Sequence, residues 1–488
     1  MSTETVIFLG VAIYIAIMAG LAVYASRKTH SATEFVLAGR SLGLGLCATT
    51  IFATWLGGGM ILGGSGAAYD EGMLGVIADP FGATLCLLLV GLFFARIFRR
   101  LKFFSFIEFV EQRFGRGATL VTSFAALMSS LFWVSGMLVG FGIIFESLTG
   151  VPLVYGIVGG ALIVVAYTSI GGMLAVALTD FVQVVIIVIG IVVLLIVVLI
   201  DAGGPATVFS QVPADTWRMI PLEHTGERWL NYLRAWFIFG LADLASQSLL
   251  QRAMSAKSER VAQNSFYLAG FGYLGFAMFL VMLGIIGSVT MPGLADSESL
   301  LPTMAIEHLH PVFVAIFVGA LLAAIMSSCD SALLAGATVI STNLLPFVKK
   351  RPSEQLTLQV TRWAIPVGGF IAVLGALNAQ VVFDTMLDAN MLMLAAVIVP
   401  FILGIWWRKA NRAGAVAAMG AGIAAWLLTS LYYTELPGDL IGLGVSLVTM
   451  LIVTPLTQRI DPPRKLVDRD GNEVELTNRL GVMGIGGR

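Results

Sequence analysis

Long apolar stretches separated by short polar segments run through the whole chain. Each stretch is close to, or longer than, the ~20 residues that an α-helix needs to cross a ~30 Å hydrocarbon core. The pattern therefore predicts an all-α polytopic membrane protein with about thirteen transmembrane helices. The predicted spans are 5–26, 42–67, 72–98, 118–148, 152–170, 173–200, 229–250, 262–290, 311–345, 358–378, 381–405, 413–432 and 438–456.

Basic residues fall in alternate loops between these spans, and they predict the orientation of the chain. Loops rich in Lys and Arg stay on the cytoplasmic side, whereas the opposite loops carry acidic runs such as YDEG at 69–72 and ADSES at 295–299. The N-terminus is therefore predicted outside and the C-terminus inside. The predicted cytoplasmic cations are Arg27, Lys28, Arg96, Arg99, Arg100, Lys102, Arg113, Arg116, Arg252, Lys257, Lys349, Lys350, Arg351, Arg408, Lys409 and Arg412.

The composition limits the class of protein. Hydrophobic residues make up 58% of the chain and charged residues 12%, and the mean hydropathy is +0.92. These values predict one transmembrane domain over 1–456 and a cytoplasmic tail over 457–488, in a multi-pass protein of the plasma (inner) membrane. The start MSTETVIFLG lacks the basic region of a cleavable signal, so the first span is predicted to be retained.

The composition also argues against several functions. The net charge is −1 and no basic face with interleaved aromatic residues is apparent, so we predict no nucleic-acid partner. The three cysteines and four histidines show no spacing typical of a transition-metal site. Because no nucleophile–base set is visible either, we predict no catalytic residues and no enzymatic activity.

Polar residues interrupt the ninth apolar span. Ser327, Ser328, Asp330 and Ser331 lie within AAIMSSCDSALL, and the i,i+3 and i,i+4 spacings put three of them on one helical face. Buried hydroxyls beside a carboxylate suit a small hard cation, and intramembrane ionisable residues typically mark an ion or substrate path. The alternative is that the serines hydrogen-bond to carbonyls of their own helix. The pattern predicts a cation-coupled transporter.

The second span contains a run of glycines, TWLGGGMILGGSGAAY. Gly57, Gly58 and Gly59 lie near its middle, and each lowers helix propensity by about 1 kcal/mol relative to alanine. A discontinuous helix there would free backbone carbonyls for a cation, as in secondary transporters. The alternative is close packing of helices through small residues.

Other carboxylates in apolar segments leave alternatives open. Asp180 begins an apolar helix near the cytoplasmic face, where it could complement the helix dipole or line an ion exit. Asp79 in the third span and Asp243 in the seventh could each pair with Arg234 or face a cationic substrate. The sequence does not choose between them.

Four segments resemble the sodium:solute symporter family: the glycine-rich break at 53–66, SIGGMLAVALTDFVQ at 169–183, QRAMSAKS at 251–258 and AAIMSSCDSALL at 323–334. The resemblance implies a leucine-transporter-type fold with two inverted repeats of five helices, which the spacing of the spans permits. The repeats would cover 42–200 and 229–405, with extra helices at 5–26 and 413–456.

The resemblance also implies two ion sites. The main sodium site would consist of the carbonyls of Ala53, Leu56 and Ala324 and the hydroxyls of Ser327 and Ser328. A second sodium site or an exit path would involve Asp180, Asp330 and Ser331. Sodium is the implied coupling ion, and no further cofactor is implied.

Within the family, TWLGGG and LFW at 131–133 are most similar to the choline-transporter branch. Trp55 and Trp133 would then form two walls of an ammonium cage, although membrane tryptophans also serve simply in packing. Ser246 and Ala83 stand where that branch has a further cage tryptophan and a tyrosine. The predicted substrate-binding residues are Trp55, Gly57, Gly58, Trp133, Asp243, Ser246 and Gln247.

The predicted function is sodium-coupled symport of a small organic solute across the lipid bilayer by alternating access. A quaternary amine such as choline or betaine is one candidate solute. A proline-like amino acid, a monocarboxylate or a sugar is the alternative. Two other classes remain: a membrane solute sensor working with a separate signalling partner, and a passive channel, which would need a continuous polar pore.

Overall fold

The computed structural model describes residues 3–222, 225–378, 387, 390–433 and 435–474. Within them the regular structure is helical, and strand-like pairing is limited to two isolated bridges. The first half contains α1 (Thr3–Ser26), α2 (Ala32–Leu37), α3 (Leu44–Trp55), α4 (Gly59–Leu74), α5 (Ile77–Phe93), α6 (Ala95–Leu101), α7 (Phe106–Phe114), α8 (Arg116–Thr149), α9 (Leu153–Asp201) and α10 (Pro205–Gln211). The second half contains α11 (Gly226–Gly240), α12 (Gln247–Ser255), α13 (Glu259–Thr290), α14 (Leu300–His308), α15 (Pro311–Val339), α16 (Glu354–Ala376), α17 (Asn390–Trp406), α18 (Arg412–Tyr432) and α19 (Gly438–Thr457).

Many of these helices are long and apolar enough to cross a bilayer. Among the described residues there are seven such helices, or nine when two bent pairs each count as one span, with shorter apolar helices at Ala12–Ser26 and Asn390–Trp406. The all-α polytopic architecture is therefore confirmed. The count of thirteen and the orientation of the termini stay predictions. The part of the predicted span 381–405 before Asn390, apart from Leu387, and the tail beyond residue 474 lie outside the described residues.

The predicted break in the second span is confirmed. Helix α3 ends at Trp55, Leu56 adopts a non-helical conformation (φ −76°, ψ 62°), and α3 and α4 meet at a bend of 54°. The Gly57 N–H bonds to the Trp55 carbonyl at 2.7 Å. In an unbroken helix it would bond to the carbonyl of Ala53, so the break releases that oxygen.

Two further predicted spans are interrupted, and their prediction as continuous helices was wrong. In the span 72–98, Asp79 is non-helical (φ −141°, ψ 116°) before Pro80, and α5 and α6 meet at a bend of 52°. The span 229–250 is divided between α11 and α12 by a short 3-10 turn at Ala242–Ala245. Apolar composition indicates burial in lipid or protein, but it does not report whether the backbone hydrogen bonds continue.

The predicted boundary between spans 152–170 and 173–200 lies at Gly172 within α9. Gly172 has φ +62°, a region that L-residues with a side chain avoid. A Cβ at this position would also lie 2.5 Å from the Phe35 carbonyl oxygen. Glycine is therefore required twice over, by the backbone angle and by the close contact.

Helix α15, which carries the polar residues of the predicted ninth span, occupies the centre of the fold. It packs against α1, α3, α8, α9 and α16, and every residue from Phe317 to Val339 is buried. By contrast, α16 exposes large apolar residues such as Trp363 on its outer face. The polar groups of α15 therefore face protein rather than lipid.

The chain after α19 folds back onto the segment between α6 and α8. The Lys102 ammonium lies 3.8 Å from Asp468, and the Arg469 guanidinium lies 3.8 Å from the centre of the Phe104 ring. Part of the predicted tail, up to residue 474, is thus docked on the helical domain.

Candidate ion and solute site

The break after α3 faces two serines of α15. The Ser327 hydroxyl oxygen lies 3.1 Å from the Ala53 carbonyl and 2.9 Å from the Ala324 carbonyl, and it donates its hydrogen bond to this pair. The Ser328 hydroxyl donates to the Thr54 carbonyl at 3.1 Å. The carbonyl that the break releases therefore meets α15 hydroxyls, which forms a buried cluster of uncharged oxygens.

Gly57 and Gly58 allow this close approach between the broken helix and α15. A Cβ on Gly57 would lie 2.2 Å from the Ser328 hydroxyl oxygen, and one on Gly58 would lie 2.9 Å from Cγ1 of Ile325. The two readings of the glycine run, a discontinuous helix and close packing, therefore both hold. Neither glycine lines the cavity that adjoins the oxygen cluster, although both were predicted to bind substrate.

The oxygen cluster matches most of the predicted main sodium site. Ala53, Ala324 and Ser327 are joined directly by hydrogen bonds, Ser328 lies beside them on α15, and Leu56 is the residue at the break itself. Carbonyl and hydroxyl oxygens are the ligands that hard cations prefer. Thr54 was not predicted; its position just before the glycine run at 57–59 is the sequence signal that could have identified it.

A second buried polar cluster contains the predicted residues Asp180, Asp330 and Ser331. The Tyr167 hydroxyl donates to Asp330 at 2.7 Å, and the Ser331 hydroxyl lies 3.1 Å from the other Asp330 oxygen. The Thr50 hydroxyl donates to Asp180. Tyr167 and Thr50 were not predicted, because nothing in the sequence distinguishes them from other membrane hydroxyls.

Arg252 joins the two carboxylates of this cluster. Its guanidinium lies 3.9 Å from Asp180, donates to the Ser331 hydroxyl, and bonds to the Thr50 carbonyl at 3.1 Å. Arg252 is fully buried, so its prediction as a cytoplasmic loop residue was wrong. The positive-inside rule counts charges along the chain and cannot tell that α12 packs inside the protein against α3 and α15. Buried carboxylates such as Asp180 and Asp330 need a countercharge, and this need is the feature of the sequence that could have indicated a buried arginine.

An internal cavity adjoins the oxygen cluster. Its volume is about 40 Å³, within a wider recess of about 580 Å³ that includes space open to solvent. Two of its lining residues, Thr54 and Ser328, also belong to the oxygen cluster, so the cavity and the cluster share a wall. The predicted substrate-binding residues that line it are Trp55, Trp133, Asp243, Ser246 and Gln247.

Aromatic rings form one wall of this cavity. The Trp55 and Trp133 rings meet edge to face with their centres 6.3 Å apart. Phe239 contacts both, at 5.7 Å and 6.1 Å, and was not predicted. The Trp55 indole N–H has no hydrogen-bond partner among the described residues. The tryptophans therefore pack against each other and border the cavity as well.

The structure distinguishes Asp243 from Asp79, the two carboxylates between which the sequence did not choose. Asp243 lines the cavity and accepts a hydrogen bond from the Asn390 amide at 2.8 Å. Asp79 does not line it, and its carboxylate accepts from the Tyr273 hydroxyl instead. Arg234 pairs with neither, because it binds Asp439 at 2.8 Å.

Gln247 and Ser246 differ in their freedom to bind a solute. The Gln247 side chain accepts from the Phe106 N–H at 3.1 Å and donates to the Phe104 carbonyl at 3.2 Å. Its amide therefore mainly holds the segment before α7. The Ser246 hydroxyl pairs with the Ser248 hydroxyl at 2.9 Å, and this pair stays able to bond to a third group.

The chain is similar in sequence to known transporters. The sequence model of the Sodium:solute symporter family matches residues 35–422. Human high affinity choline transporter 1 is 27% identical over 420 residues, covering 82% of this chain and 72% of the relative. The osmoregulated proline transporter OpuE of Bacillus subtilis is 28% identical over 485 residues, covering 94% of this chain and 96% of the relative.

A solved structure shares the fold. The substrate-bound, outward-open structure of a Na+-coupled sialic acid symporter superposes with a TM-score of 0.81 at 22% sequence identity. The match covers 95% of this chain and 99% of that one. The broken α3–α4 pair, the buried α15 and the cavity between them therefore belong to a fold already known from membrane transporters.

Proposed function

This chain belongs to the sodium:solute symporter family, and we propose that it takes up a small organic amine together with sodium. It is a multi-pass membrane transporter coupled to sodium, and not an enzyme. One observation carries the proposal for the ion site. The hydroxyls of Ser327 and Ser328 meet backbone carbonyls at the break after α3, and Ser328 also lines the cavity.

The proposed main sodium site comprises the carbonyls of Ala53, Leu56 and Ala324 and the hydroxyls of Ser327 and Ser328. A sodium ion there would tie the broken helix to α15. Since Ser328 also lines the cavity, this ion would fix the shape of the solute site. Sodium binding and solute binding would then favour the same state of the protein.

Transport would follow by alternating access. Sodium and solute enter from outside, and the repeats 42–200 and 229–405 rock against each other to open the cavity inward. A membrane potential of 100 mV contributes about 2.3 kcal/mol for each charge moved. One sodium ion therefore adds roughly fifty-fold to solute accumulation before its own gradient is counted.

Asp180, Asp330 and Ser331 form the proposed second sodium site or ion exit path. With both carboxylates ionised, the Arg252 guanidinium would leave this cluster with a formal charge of −1. One monovalent cation in or beside it brings the charge to zero, which supports a cation path along α15.

The proposed solute is an amine such as choline or betaine. Trp55 and Trp133 provide aromatic surface at the cavity that would attract an ammonium group by cation–π interaction, and the human relative is a choline transporter. Ser246 makes this cage less aromatic than in the choline-transporter branch. A proline-like amino acid is the second candidate, because a proline transporter matches 94% of the chain.

The proposed topology has about thirteen transmembrane helices in the plasma membrane, with the N-terminus outside and the C-terminus inside. The alternate basic loops support this orientation. The inverted repeats would place α3 to α9 in one half and α11 to α17 in the other.

Thermal stability in sodium tests the ion site. We expect the purified protein to unfold at a higher temperature in sodium chloride than in potassium chloride at equal ionic strength, because a ligand of the folded state stabilises it by about 2.7 kcal/mol at one hundred times its Kd. Ser328→Ala should lose most of this difference. The matched control is Ser446→Ala, which removes a buried hydroxyl without a hydrogen-bond partner among the described residues. Equal stability of the wild type in both salts would refute the site.

A further inference from the structure

One carboxylate borders the solute cavity. Asp243 is 9% exposed, lies in the interruption between α11 and α12, and is held by the Asn390 amide at 2.8 Å. An amide donor orients a carboxylate but does not neutralise it. A carboxylate in a membrane protein typically pairs with a cation or faces a polar path.

The described cavity wall contains no basic side chain that could neutralise Asp243. Arg252 and Arg234 each lie nine residues from Asp243 in the sequence. Arg252 donates to the Ser248 carbonyl, but its charge is already shared with Asp180 and Asp330. Arg234 is engaged by Asp439. The sequence has no Lys, Arg or His between positions 362 and 408, so the residues around Asn390 cannot supply a countercharge either.

We propose that the solute is an organic cation without a carboxylate and that Asp243 is the residue that specifies this charge. The inference rests on the proposed sodium-coupled uptake and narrows its solute. A solute ammonium would sit between Asp243 and the rings of Trp55 and Trp133. A zwitterion such as betaine or proline would bring a second carboxylate into the same cavity, where like charges repel.

The remaining polar groups agree with a cation that also carries a neutral oxygen. The Trp55 indole N–H is buried without a hydrogen-bond partner among the described residues, and the Ser246–Ser248 hydroxyl pair borders the cavity. This hydroxyl pair can bind a solute hydroxyl. The N-terminal end of α12 is the feature of the described wall that could attract a solute carboxylate, and it lies next to Asp243 in the chain.

Matched solute pairs test the inference on the wild-type protein. Choline and betaine share a trimethylammonium group and differ in a hydroxymethyl against a carboxylate, and pyrrolidine and proline differ in the same charge. Binding is measured by calorimetry with purified protein in sodium. We expect the cation of at least one pair to bind at least about tenfold tighter than its zwitterion. Equal or tighter binding of both zwitterions, or binding of a neutral sugar alone, would overturn the inference.

Two variants distinguish a direct effect of Asp243 on the solute from a long-range effect of buried negative charge. Asp243→Asn should weaken the cation at least about tenfold and reduce the preference over its zwitterion to a few-fold. Asp79→Asn removes a buried carboxylate that lies outside the cavity, so this variant should keep the wild-type preference for the cation over its zwitterion. An unchanged preference in Asp243→Asn would contradict the assignment. The stabilisation of the wild-type protein by sodium alone is measured in parallel. If sodium stabilises the protein but the zwitterions bind as tightly as the cations, only this inference fails. If sodium does not stabilise the protein, the proposed function itself fails.

Discussion

Substitution of Gly57 by alanine tests the contact between the broken helix and α15. The new Cβ would lie 2.2 Å from the Ser328 hydroxyl oxygen, 2.9 Å from the Ser328 Cβ and 3.3 Å from the Met137 sulfur. Ordinary contact begins near 3.4 Å, so the hydroxyl must retreat by roughly 1.2 Å. Rotation of the Ser328 side chain cannot relieve the contact fully, because its Cβ is also too close.

The expected consequence is weaker sodium binding. Overpacking a tight contact costs about 1–3 kcal/mol, and here the strain falls on the state in which α3 and α15 hold the ion between them. If the whole cost opposes sodium binding, the sodium concentration for half-maximal effect rises about five- to 150-fold. Displacement of the Ser328 hydroxyl, one of the proposed ligands, acts in the same direction.

The assay is a sodium titration of thermal stability, repeated as a sodium titration of solute uptake. Gly45→Ala is the matched control: Gly45 lies in the first turn of α3, the helix that ends just before Gly57, and its Cβ would meet nothing within 4 Å. It should leave the sodium dependence unchanged. A Gly57→Ala protein whose half-maximal sodium concentration stays within about twofold of wild type would refute the reasoning, since tenfold is about 1.4 kcal/mol.

Other residues give further predictions. Arg252→Met leaves Asp180 and Asp330 as uncompensated buried charges and should destabilise the protein by about 3–5 kcal/mol. Adding Asp180→Asn should raise the denaturation midpoint part of the way back to the wild-type value. A midpoint that does not rise would argue against charge pairing. Arg234→Ala removes the partner of Asp439, which is 2% exposed, and should lower the stability by about 1–3 kcal/mol. The sodium dependence should not change, because this ion pair lies apart from the ion site. A shifted sodium titration would contradict that expectation.

The sequence predicted the parts of the fold that apolar length and glycine content encode. The break after Trp55 and the boundary at Gly172 both fall at glycines, which lower helix propensity or permit a positive φ. The interruption at Ala242–Ala245 contains no glycine or proline. Gly240, the last residue of α11, precedes it, but a single glycine in an apolar span is a weaker signal than the glycine run after Trp55.

The candidate site was predicted unevenly for a similar reason. Ser327, Asp330 and Ser331 share a helical face, and all three are buried in α15. Ser327 belongs to the oxygen cluster, whereas Asp330 and Ser331 belong to the second cluster. Arg252 is distant in sequence from all of them, and a charge count treats it like any loop arginine. Its burial follows from the packing of α12 against α3 and α15, which depends on the whole chain rather than on any segment.

Uptake driven by a sodium gradient tests the central claim most directly. Purified protein is reconstituted into proteoliposomes, labelled choline is added outside, and uptake is measured with an inward sodium gradient or with equal potassium. The account predicts concentrative uptake that requires sodium, is lost in Ser328→Ala and persists in Ser446→Ala. Equal uptake in potassium, or sodium-driven uptake that Ser328→Ala leaves intact, would contradict it.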